Sequence, residues 1–215
     1  SLFNWYKTTR EWNKLKPNSK IMYQQMMNTA IEYFQFNRAS ERVSLITAKI
    51  VDEWYSHIET TVSISKAVYV MKVMRRIWNV AKRNGHVDTN PFEKMGLATG
   101  KPRKIVWTEA QVESVFNYAY FTGQGRDVAL LTYMCYYLGQ RPGDMIKLRL
   151  NQYNKWNKTI SFIQEKTRKE AIIPVPSPLD DIFSTILSDA THTEPTFIIE
   201  QSVRELNKQF NIVKN

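Results

Sequence analysis

Apolar residues recur at helical spacing through the first ninety positions of the chain. The segment KIMYQQMMNTAIEYFQF carries Met22, Met26, Ile31 and Phe34 at core-like helical spacing, and TAKIVDEWYSHI begins a second helix with Thr47 as its N-cap. The third, SISKAVYVMKVMRRIWNVAKRNG, aligns Ala67, Val70, Met74, Ile77 and Ala81 and stops at Gly85, a residue suited to the left-handed turn that closes a helix. With a short helix in FNWYKTTREWNKL, these segments predict a helical bundle whose Met71, Met74 and Trp78 are core filling.

The period loosens after Asn90-Pro91, and ATGKPRKIV reads as a basic linker over 98–106. Thr108 and Gln111 then form a predicted capping box. The apolar helix DVALLTYMCYYLG halts at Gly139, and RPGDMIKLRL opens another short helix with Pro142 in its first turn. TISFIQEK and EAIIPVP change the period to that of strands and flank TRK, which predicts a hairpin. SPLDDIFSTILSD and QSVRELNKQFNIVKN return to helix. The expected fold is mainly α with a small β-hairpin or sheet, divided into a helical domain over 1–97, a linker over 98–106 and a second domain over 107–215.

Composition narrows the chemistry. The chain has 215 residues, 43% of them apolar and 13% aromatic, enough to bury a real core. No apolar run approaches the ~18 residues of a membrane span, and the N-terminus lacks a signal-peptide pattern, so a cytoplasmic location is expected. One cysteine, Cys135, and three scattered histidines exclude a Cys/His zinc cage, and no metal or other cofactor is expected. The net charge of +10 is uneven, with +7 in residues 1–100 and +3 in the rest. No acidic residue falls between Glu59 and Asp88, yet Lys66, Lys72, Arg75, Arg76, Lys82 and Arg83 do. That stretch, with Lys101, Arg103 and Lys104 of the linker, suits a polyanion and is the predicted DNA-binding surface.

Several reaction classes are excluded by residue type. There is no strand-borne set of three carboxylates for two-metal strand transfer, no G-x-x-x-x-G-K-[ST] loop for nucleotide hydrolysis and no G-x-S-x-G elbow. What remains is a pair of cations. Arg141 sits in LGQRPGDMIKL at a junction between two predicted helices, where a guanidinium fork can grip two oxygens of one phosphate. Asp144 follows three residues later and is placed to orient it or to fill the first helical turn. Lys166 ends a predicted strand in FIQEKTRKEAIIP.

An arginine in a G-x-R-P-G-[ED]-x-x-x-L turn, followed some 25 residues later by a Q-x-K-T hairpin leading into I-x-I-P, resembles the catalytic domain of the tyrosine recombinases, in particular the phage-type integrases. The upstream bundle agrees: its AKRNGHVDTNP ending (81–91) is similar to the A-x-x-x-G-x-I-x-x-N-P ending of that family's SAM-like core-binding domain. The resemblance implies a core-binding domain joined to the leading part of an α+β catalytic domain that acts in site-specific DNA recombination and integration through a 3′-phosphotyrosine, on attachment-site-like double-stranded DNA, as a homo-oligomer on that DNA, with no nucleotide and no membrane. By the same resemblance Arg141 binds the scissile phosphate, Lys166 protonates the departing 5′-oxygen and Asp144 supports the arginine. Both roles make physical sense, since fixed guanidinium donors stabilise charge developing on phosphate oxygens and a positioned ammonium can protonate an alkoxide.

One part of the family pattern has no match. The second box, [HK]-x-x-R, and the later nucleophilic tyrosine are not found after the hairpin; Tyr153, the last of eleven tyrosines, precedes Lys166. The chain as given is therefore expected to bind DNA without cutting it, either as part of a longer integrase or, alternatively, as a short non-catalytic DNA-binding regulator or competitor on the same scaffold.

Overall fold

A computed structural model describes residues 1–37, 43–98, 104, 106–123, 125–189, 198–199, 205–206 and 208–209. The chain separates into two compact units, Ser1–Arg103 and Lys104–Asn215. Among the described residues each buried apolar cluster is confined to one unit.

The first unit is all helical: α1 (Leu2–Tyr6), α2 (Arg10–Asn13), α3 (Pro17–Asn37), α4 (Ala48–Thr61) and α5 (Ile64–Arg83), with one 3₁₀ turn at Val43–Leu45. The short helix expected near the N-terminus is two helices, separated where Thr9 caps α2 by accepting from the Trp12 N–H. Thr47 caps α4 as predicted, and Ser63 caps α5. At the far end of α5, the Gly85 N–H donates to the Lys82 carbonyl and the His86 N–H to the Ala81 carbonyl. Gly85, at φ 73°, supplies the left-handed residue that this closure requires.

Helix α5 is the centre of this unit, and Ala67, Val70, Met74, Ile77 and Ala81 are all buried, as are Met71 and Trp78. Helix α3 buries only part of the expected set. Met22 and Ile31 are 40% and 39% exposed, while Met26, Met27 and Ala30 are buried. Aromatic packing helps set the buried side: Tyr23 stacks on Tyr6, with centroids 6.4 Å apart, and Tyr33 on Trp54 at 5.6 Å. At about 100° per residue, Met22 and Ile31 lie roughly 180° apart on the helix, so no single orientation buries both.

The second unit packs α6 (Glu109–Phe121) on α7 (Arg126–Leu138), followed by α8 (Pro142–Met145), a three-stranded sheet and α9 (Ser177–Asp189). The capping box at Thr108 and Gln111 is present on both sides. Gly139 ends α7 in the left-handed region. Strands β2 (Thr159–Ile163) and β3 (Glu170–Pro174) form the expected antiparallel hairpin, and β1 (Tyr153–Asn154) adds a strand that the alternation did not reveal. Two residues are too few for a period to register. Ile160 and Phe162 point from β2 into the core with Leu179 and Phe183 of α9. Asp180 ties α9 to the sheet: it accepts from the Tyr153 hydroxyl and pairs with Lys158 Nζ at 2.7 Å. The expected terminal helix over QSVRELNKQFNIVKN lies largely outside the described residues.

Candidate functional site

The turn between α7 and α8 presents Arg141. Gly139 reverses the chain, Arg141 is the extended N-cap residue of α8, and its carbonyl accepts from the N–H groups of Asp144 and Met145 at 2.9 and 3.1 Å. Proline at the first position of α8 fixes the exit direction. The backbone is therefore held while the Arg141 side chain stays 52% exposed.

Asp144 is the hinge of the site. Its side chain is only 4% exposed, one carboxylate oxygen accepts from the Glu165 N–H at 2.8 Å, and the other lies 4.0 Å from Arg141 Nη1 with no hydrogen bond of its own. One buried carboxylate thus touches the Arg141 turn on one side and the hairpin turn on the other. A second bridge runs parallel, from Gln164 Nε2 to Gln140 Oε1 at 2.8 Å, and Gln164 also accepts from the Thr167 hydroxyl. Lys147 pairs with Glu165 at 2.6 Å across the same gap.

Lys166 is adjacent to these contacts. It was expected at the end of a strand, but β2 stops at Ile163 and Lys166 is exposed within the hairpin turn. The turn closes through the Gln164 N–H to the Lys169 carbonyl at 2.9 Å and the Arg168 N–H to the Gln164 carbonyl at 2.8 Å, with Arg168 at φ 58°. Once Gln164 and Glu165 are fastened to the Arg141 turn, the alternation of the strand cannot continue. Gln164 is the glutamine of the Q-x-K-T motif, but neither its bridge to Gln140 nor the part of Glu165 is marked in the sequence, because amide and backbone bridges leave no charge or period signature.

Three tyrosines of the second unit titrate above the ordinary range. Burial pushes Tyr137 up to about 12, and it raises Tyr133 as well. Tyr153, itself buried, is raised first by burial and then by its bond to Asp180. Cys135 is likewise pushed up to about 12 by burial; it lines an apolar groove of about 500 Å³ with Val112 and Leu131 and behaves as a hydrophobe. Among the described residues no group of three His, Cys, Asp or Glu side chains could hold a metal ion, and no helix is long and apolar enough to cross a membrane.

The basic residues of α5 do not form a single face. At the 3.6-residue period, Lys72, Arg76 and Arg83 fall within about 40° of one another, opposite the buried side of the helix. Lys66 points elsewhere on the wheel and is half-buried. Lys82 faces Glu93 at 3.9 Å. Arg75, expected to meet phosphate, is engaged within its own unit: its Nε donates to the Phe92 carbonyl at 2.7 Å and its Nη2 to the Met95 carbonyl at 3.1 Å. Two donors of that guanidinium fasten the segment after α5, which Asn90 fastens from the other side through the Arg75 carbonyl and Asn79. In the linker Lys104 is exposed, while Lys101 and Arg103 lie outside the described residues.

No family model matches the chain, and no curated protein matches it. Solved structures do. A lambda integrase dimer bound to a COC′ core site superposes with a TM-score of 0.80 at 16% identity, covering 99% of this chain and 61% of that one. A lambda integrase tetramer bound to a Holliday junction gives 0.78 at 14% identity over 99% and 64%. The Tn1549 transposon integrase in complex with circular intermediate DNA gives 0.66 at 18% identity over 94% of this chain and 69% of that one. The chain spans about three fifths of the length of the first of these integrases. The chain shares the fold of these integrases, mostly helical with a small antiparallel sheet.

Proposed function

We propose that this chain is the DNA-binding and phosphate-gripping portion of a phage-type tyrosine recombinase that integrates or recombines attachment-site-like DNA through a 3′-phosphotyrosine. The observation that carries the reading is the double bridge between the Arg141 turn and the Lys166 turn, made by Asp144 to the Glu165 N–H and by Gln140 to Gln164, each at 2.8 Å. Two exposed cations on separate turns are thereby tied to one rigid base, which is what a site needs if one is to hold a phosphate while the other delivers a proton to it. Arg141, with its fork exposed and its flank set by a buried carboxylate, binds the scissile phosphate. Lys166 protonates the departing 5′-oxygen. The fold shared with DNA-bound integrases, one a dimer and another a tetramer, supports duplex DNA and further protomers as partners. Residues 1–97 supply the core-binding domain in this reading, 98–106 the linker and 107–215 the catalytic portion.

Leaving-group chemistry tests the assignment in an intact recombinase carrying this segment. Lys166→Ala and Arg141→Ala are both expected to abolish cleavage of an ordinary duplex while keeping site binding. On a substrate whose 5′-bridging oxygen is replaced by sulfur, the leaving thiolate needs no proton, so Lys166→Ala recovers cleavage and Arg141→Ala does not. Recovery of both, or of neither, overturns the division of roles.

A further inference from the structure

Glu11 of α2 and Arg83 in the last turn of α5 form an ion pair across 72 residues of sequence. They line a polar cleft of about 570 Å³ whose walls also include Trp5, Thr8, Arg10 and Asn84. The Arg83 side chain is 64% exposed and that of Glu11 23%. Arg83 also belongs to the α5 stripe that carries Lys72 and Arg76. A basic stripe aimed outward thus ends in a guanidinium already engaged by a carboxylate of its own chain.

We propose that this cleft is a phosphodiester-binding site in which the Glu11 carboxylate occupies the anion position until a DNA backbone phosphate displaces it. The proposal rests on the DNA-binding reading above and adds an internal competitor to it. Carboxylate and phosphodiester oxygens present the same paired acceptors to a guanidinium fork, so they compete for one geometry. The cleft holds two guanidiniums against one carboxylate, leaving a positive balance for an entering anion. A backbone contact within its own residue first, then Arg83 and Arg10, hold the Glu11 carboxyl below its ordinary value, so it is charged whenever DNA could bind. An exposed ion pair contributes little net stability, which makes the exchange easy. Glu11 therefore lowers affinity for arbitrary duplex, and only DNA that also engages the rest of the stripe captures Arg83.

The test measures binding of a fluorescein-labelled duplex by the chain across a range of KCl concentrations. Glu11→Gln is expected to tighten binding by roughly threefold to tenfold and to steepen the salt dependence by about 0.9 in log K per log salt, the increment for one further neutralised phosphate. Placed on Arg83→Gln, the same change is expected to alter affinity less than twofold. An unchanged affinity and slope in Glu11→Gln overturns the proposal, and so does an equal gain in the Arg83→Gln background, which would mark a generic charge effect. Dimethyl phosphate is a second probe. In Glu11→Gln it should shift the Arg83 Nε–H resonance, and no shift overturns the site whatever the duplex does. If no variant binds duplex but that shift is present, the cleft stands and the DNA-binding reading falls.

Discussion

At the scale of single residues, Asp144 has the most demanding position in the second unit. A carboxylate with 4% of its side chain exposed is costly to bury, and its compensation is the Glu165 N–H at 2.8 Å and the charge of Arg141 at 4.0 Å. Asp144→Ala removes both and leaves the Glu165 N–H without its acceptor. We expect it to destabilise the second unit by about 1–3 kcal/mol, read as a fall in the urea midpoint. Asp144→Asn keeps a carbonyl acceptor for that N–H and loses only the charge, so it should cost less stability and, in the proposed reading, still weaken the hold of Arg141 on phosphate. If the two variants unfold at the same midpoint, the backbone bond is not what fixes the turn. The sequence exposed the ends of this arrangement and hid its middle. Arg141, Asp144 and Lys166 stand in recognisable spacings, but Gln140 meets Gln164, and Asp144 meets a backbone N–H, only after a helix turn and a hairpin have closed. Contacts to the backbone carry no residue-type signature at the receiving end.

At the scale of elements, caps were legible because they are local. Thr47, Thr108 with Gln111, Gly85 and Gly139 act within four residues of where they stand, and each ends or begins its helix as the pattern predicted. The buried side of α3 and the strand β1 were not legible, since one is decided by rings on α1 and α4 and the other by pairing with β2. Arg75 shows the same limit on α5. Its place in an acid-free basic run pointed to phosphate, yet it holds two carbonyls of the segment that follows the helix, next to buried Phe92. Arg75→Met keeps the aliphatic stem and removes these bonds, so we expect a loss of about 2 kcal/mol in the stability of the first unit. Its salt dependence of DNA binding should match that of the unchanged protein. A flattened slope with unaltered stability would return Arg75 to the phosphate-contacting set.

At the scale of the whole molecule, charge divides more sharply than the halves of the sequence suggest. Residues 1–103 hold 17 Lys and Arg against 8 Asp and Glu, a balance of +9, whereas residues 104–215 hold 13 against 12, a balance of +1. In the DNA-binding reading the first unit therefore supplies the long-range attraction, and the second supplies a few placed cations at the scissile phosphate. Local placement matters more than totals within each unit, because screening at physiological salt confines a charge to about 8 Å. The outward stripe of α5 then sets the salt dependence, and its two members without an acidic partner among the described residues are Lys72 and Arg76. Neutralising both, in Lys72→Gln with Arg76→Gln, should flatten log K against log salt by about 1.8, which is 0.9 for each phosphate left without its cation. Neutralising Lys147, whose ammonium is paired with Glu165 in the second unit, should leave that slope nearly unchanged. Binding isotherms at four or five salt concentrations decide between this arrangement and a uniform one. In the uniform case each neutralised cation would flatten the slope alike, and the attraction would belong to net charge rather than to the exposed face of one helix.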